Sequence, residues 1–89
     1  NRSEAAVNLA KSFGNRSVRV LEKAFEQEKD EDVRTSIACA LRAVGTWKAY
    51  RALARLMRKT DLEAEDGKAV LDGIIRLEEV LPRWKILLS

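Results

Sequence analysis

Histidine is absent from the sequence, and cysteine, proline, methionine and tyrosine occur once each. Without histidine, the commonest general base near neutral pH and the commonest zinc ligand are both missing. Cys39 cannot close a disulfide within the chain, and a lone thiol suits a reducing compartment, so a cytoplasmic setting is expected. No apolar run approaches the roughly 20 residues that span a bilayer, and no charged-then-apolar leader opens the sequence, so neither a membrane span nor a targeting segment is expected. Glycine-rich phosphate loops, a Gly-x-Ser-x-Gly elbow and any recognisable nucleophile–base pair are also missing. These absences argue against an enzyme. No catalytic residue, cofactor or metal site is expected.

What remains is rich in helix formers. The 89 residues are 46% apolar and 35% charged, which fits one soluble globular domain near the lower size limit for a core without disulfides or metals. Gly14 and Gly45 each close a run with apolar residues at matching positions. The first run is Ala6, Leu9, Ala10 and Phe13; the second is Ile37, Ala40, Leu41 and Val44. A third copy places Val70, Gly73, Ile74 and Leu77 at the same steps. Spacing by three and four is the mark of one buried helix face. Between the runs, Val18, Leu21, Ala24 and Phe25, and then Tyr50, Leu53, Leu56 and Met57, repeat the pattern. Six helices are therefore expected, over about 3–13, 16–27, 31–44, 47–59, 65–80 and 83–88. Acidic clusters at Asp30-Glu31-Asp32 and at Asp61, Glu63, Glu65 and Asp66 fall at predicted helix starts, where carboxylates cap free N–H groups. Gly14 and Gly45 fall at predicted helix ends, where positive φ is useful, and Pro82 separates the fifth helix from the sixth.

The segment Asp32-Val33-Arg34, followed by Ile37-Ala38-Cys39-Ala40-Leu41 and Val44-Gly45, resembles the first helix and turn of a HEAT-like repeat of the short phycobilisome-lyase type. Ala49-Tyr50-Arg51-Ala52-Leu53 resembles its second helix. The resemblance is clearest in the middle repeat; in the third copy Gly67 replaces the arginine and Glu78 the glycine. It implies an all-α fold of about three antiparallel helix pairs (residues about 1–29, 30–60 and 61–89), stacked as a short right-handed α-solenoid with the second helices lining its concave side. It implies an interaction scaffold for a partner protein, with an accessory segment of an enzyme such as a bilin lyase as one alternative.

Charge is distributed unevenly along the chain. Between Val33 and Thr60 there are seven basic residues and no acidic one, while all fourteen acidic residues lie elsewhere. At about 100° per residue, Lys48, Arg51, Arg55, Arg58 and Lys59 share one arc of the fourth helix, opposite Tyr50, Leu53 and Met57. This ridge is a candidate partner-binding surface for an acidic protein or, alternatively, for nucleic-acid phosphates, with Trp47 at its border. The competing expectation is that Glu22 and Glu26 of the second helix neutralise it. Cys39, flanked by alanines, is expected to be a packing group between repeats. A second candidate surface lies at the C-terminal edge: Leu71 and Ile75 occupy a second face of the fifth helix, and Trp84, Ile86, Leu87 and Leu88 follow Pro82. Such an edge is expected to meet an adjoining repeat of a longer chain or a second copy in a homodimer.

Overall fold

A computed structural model describes residues 1–83, and it is all-helical over them. Five α-helices follow in order: α1 (Arg2–Phe13), α2 (Val18–Gln27), α3 (Glu31–Val44), α4 (Trp47–Met57) and α5 (Glu65–Val80), with a 3-10 turn over Gly14–Ser17 leading into α2. The helix expected over 83–88, with Trp84, Ile86, Leu87 and Leu88, lies outside the described residues apart from Arg83.

Local chemistry accounts for most helix ends. The Asn1 side chain accepts the N–H of Glu4, Asp30 accepts those of Asp32 and Val33, and Thr46 accepts that of Ala49, so three helices start on a side-chain cap. α3 ends on Gly45 at φ 73°, the left-handed conformation that only glycine adopts without strain. α2 contains its whole apolar pattern but starts at Val18 and not near residue 16, because the chain leaves Gly14 in a 3-10 turn held by the Ser17 hydroxyl donating to the Gly14 carbonyl at 2.6 Å. At the start of α5, Asp66 accepts the Gly67 N–H at 2.9 Å; the N-cap itself is Ala64, and the Glu65 N–H donates to Glu31 of α3 at 2.9 Å.

The helices form two layers. α3 lies between α1 and α5, α2 lies beside α4, and α3 and α5 also pack against the second layer. The extents of 36 × 30 × 17 Å give a thickness of two helices. The core between the layers holds Leu21 and Phe25 from α2, Ile37 and Leu41 from α3, Leu53 and Leu56 from α4, and Val70, Ile74 and Leu77 from α5. Ala38, Ala49 and Ala52 are fully covered, and their small side chains let the helix backbones approach. Phe13 departs from the expected pattern: it is exposed, with the Arg16 guanidinium 5.8 Å above its ring.

Contacts between neighbouring helices of each layer keep a similar step of 31 to 34 residues along the chain. Asn15 meets Thr46, Glu22 meets Arg55 and Glu26 meets Lys59, so α2 and α4 run in the same direction. Glu31 meets Glu65 and Arg34 meets Asp66, so α3 and α5 do too. Arg34 is the chief clamp. Its Nε donates to Asp66 at 2.7 Å, its Nη1 donates to the carbonyls of Phe25 and Glu28, and its guanidinium sits 4.2 Å over the Phe25 ring. One side chain thereby satisfies carbonyls at the end of α2 and a carboxylate at the start of α5.

Candidate interaction surface

The exposed side of the α2–α4 layer is set by the two helical registers. In α4, Ala49, Ala52, Leu53 and Leu56 face inward and are fully covered, which turns Trp47, Lys48, Arg51, Arg55 and Arg58 outward or toward α2. Arg58 and Lys59 lie just past the last residue of α4, on its closing turn. In α2, burial of Val18, Leu21 and Phe25 turns Arg19, Val20, Lys23 and Gln27 outward and aims Glu22 and Glu26 at α4.

Two members of the basic ridge are neutralised at the seam between these helices. Arg55 donates to both carboxylate oxygens of Glu22, at 2.8 and 2.7 Å, and Lys59 donates to Glu26 at 2.6 Å. The Lys59 hydrogen bond and charge hold the Glu26 carboxyl below its usual range, with Arg55 and Lys23 adding to the effect. Glu22 in turn raises the already high pKa of Arg55. Glu22 is largely covered, its side chain 12% exposed against 50% for Arg55, so the pair fixes the α2–α4 register more than it displays charge.

The remaining cations have no such partner. Lys48, Arg51 and Arg58 of the ridge are exposed and make no ion pair within the described residues. Arg51 lies 5.2 Å over the Trp47 ring, itself 38% exposed, a cation–π stack that presents a planar cation and an aromatic edge together. Arg19 and Lys23 join them from α2, also exposed and without an ion pair among the described residues. The sequence pattern did not single out these two, because the basic run between Val33 and Thr60 excludes them. Their angular position, a half-turn from Leu21 and Phe25, is the signal that places them on this side.

The other surfaces differ in character. Tyr50 points the opposite way from the ridge, donating to Glu78 near the end of α5 at 3.1 Å; its burial, reinforced by Glu78, pushes the phenol pKa up. Glu28 accepts the Asp30 N–H, which lowers its pKa together with the bond from Arg2. On α5, Ile75 is 48% exposed and Leu71 partly so. An apolar cleft of about 220 Å³ opens between α1 and α2, lined by Leu9, Val20, Leu21, Ala24 and Ile37. Cys39 is exposed on α3 and is not a packing group between helices, since its neighbours Ala38 and Ala40 take the buried positions. Among the described residues no group of His, Cys, Asp and Glu side chains could hold a metal ion, and no helix is long and apolar enough to cross a membrane.

No family model, curated protein or solved structure matches this chain. The surface therefore has to be interpreted from its own chemistry.

Proposed function

We propose that the chain is a non-catalytic interaction module, a short array of HEAT-like helix pairs that binds a partner protein over the outer side of α2 and α4. The observation that carries this reading is the gathering of unpaired cations and the Trp47–Arg51 stack on that one side. The similar step from α2 to α4 and from α3 to α5, 32 to 34 residues, supports a repeat array of first helices in one layer and second helices in the other. In this reading each hairpin is antiparallel, the stack is a solenoid, and the second helices form the working side. The C-terminal edge is a further contact surface, for an adjoining repeat or a second copy, because Leu71 and Ile75 take the places in the third repeat that Ala38 and Arg42 hold against α5 in the second. The cytoplasm is the setting that suits the free Cys39 thiol.

A peptide-display selection against the purified chain tests the reading. Cys39, on the outer side of α3, supplies a control position. A bulky maleimide on Cys39 is expected to leave the selected clones bound, whereas the same label on Arg51→Cys in a Cys39→Ser background displaces them. Label on Ile75→Cys identifies clones seated on the C-terminal edge. Failure to enrich any clone, or clones indifferent to the label at position 51, would count against α2 and α4 as the working side.

A further inference from the structure

The chemistry of the α2–α4 side specifies what kind of partner it fits. Arg19 and Lys23 are one helical turn apart on α2, about 6 Å, and Arg51 and Arg58 are two turns apart on α4, about 10 Å. Neighbouring helix axes lie about 8–10 Å apart. The four cations thus outline a patch on the order of 10 Å on each side, with Lys48 and the Trp47 ring at one end. Along its middle runs the seam where Arg55 and Lys59 are already engaged by Glu22 and Glu26.

That seam discriminates between two kinds of polyanion. A nucleic-acid backbone carries an unbroken row of phosphates, and crossing from α2 to α4 takes some of them over a seam whose charges cancel, Lys59 with Glu26 and Arg55 with Glu22, where they meet no free cation. Carboxylates on a polypeptide are separate groups. Spaced by one or two helical turns, they can meet the cations on either side of the seam while uncharged residues pass over Glu26. The Trp47 ring then offers an apolar contact at one end, which a peptide side chain can fill.

We propose that the partner presents an acidic helical segment, with carboxylates about one and two turns apart, that lies across α2 and α4 and engages Arg19, Lys23, Arg51 and Arg58 together. This rests on the reading of α2 and α4 as the working side. Both helices contribute, so binding weakens when either set of cations is reversed. The complementarity is electrostatic, and the affinity therefore falls with salt.

The test uses a fluorescein-labelled helical peptide with glutamates at i, i+4 and i+7, followed by fluorescence anisotropy at low and high salt. A labelled DNA duplex serves as the comparison probe. Arg19→Glu with Lys23→Glu, and Arg51→Glu with Arg58→Glu, are each expected to weaken peptide binding about tenfold or more, equivalent to about 1.4 kcal/mol. Lys11→Glu with Lys68→Glu makes the same change in net charge on α1 and α5 and is expected to leave the affinity within about twofold. Circular dichroism checks that each variant folds, and the matching glutamine variants give the same readout with a smaller loss should a glutamate pair unfold the chain. The proposal is overturned by tighter binding of the duplex than of the peptide, by equal losses in the control pair, by insensitivity to reversal on α2, or by no peptide binding at low salt. Selected clones that seat on α2 and α4 yet carry no acidic residues would leave the interaction reading standing and remove the acidic chemistry alone.

Discussion

Leu41→Ala and Leu53→Ala are each expected to lower the unfolding free energy by about 2–5 kcal/mol in urea titrations. Both side chains are fully covered, one from each layer, at the level where α3, α4 and α5 meet. Truncation removes apolar contact and leaves a cavity that packed helices only partly collapse into. For a domain of this size the total stability is on the order of 5–10 kcal/mol, so either change should shift the midpoint substantially. Leu53 carries an additional signature. A Cβ at Gly73 of α5 would lie 3.0 Å from its Cδ1 and 3.6 Å from the Arg42 Cβ, so Gly73→Ala crowds the wild type. In a Leu53→Ala background the same methyl enters vacated space. The double variant should therefore be more stable than the sum of the single losses allows. A loss below about 0.5 kcal/mol for either leucine would mean that the helical registers are wrong.

Gly67→Ala is the second large effect. A Cβ at this position would lie 2.6 Å from the Asp61 carbonyl carbon and 2.8 Å from the Leu62 Cα, and closer still to the Asp61 carbonyl oxygen. Those are backbone atoms of the turn that leads into α5, so relief requires moving the turn and not merely rotating a side chain. Overpacking of this kind costs about 1–3 kcal/mol, with larger values where backbone must shift. The neighbouring Asp66 would shift with it, loosening its bond to Arg34. Thermal unfolding monitored at 222 nm reads the change; a melting temperature equal to that of the parent would show that the turn moves freely. Replacement of Gly by Ala in a helix normally favours stability, so a loss here isolates the steric contact.

Gly67 also illustrates what the sequence could and could not convey. Comparison of repeats shows it standing where the second repeat has Arg34, which looks like simple degeneration of the pattern. The fold supplies the reason: the chain between α4 and α5 crosses so close that no side chain fits. Helix faces were legible because spacing by three and four determines which residues can be buried together, and Leu21, Phe25, Leu41, Leu53, Leu56 and Val70 follow it. Ends were less legible wherever the cap came from another helix, as Glu31 does for α5. The ridge residues were legible, and so was the part Glu22 and Glu26 play against them, but the final balance of charge on this side was not. That balance depends on which side of α2 faces α4, since the same register that aims Glu22 at Arg55 leaves Arg19 and Lys23 facing out. The same balance governs which substitutions report on the surface. Arg55→Glu would set a second carboxylate against the covered Glu22, so Arg51 with Arg58 reports on the surface where Arg51 with Arg55 would also disturb the seam.

Amide chemical-shift mapping tests most directly whether α2 and α4 form the working side. The ¹⁵N-labelled chain is titrated with the tightest peptide from the display selection. The account predicts that shifts concentrate at Arg19, Lys23 and Gln27 and from Trp47 to Lys59, while α1 and the exposed side of α3 around Cys39 stay unchanged. Shifts centred on α1 or on Cys39, with α2 and α4 silent, would contradict it.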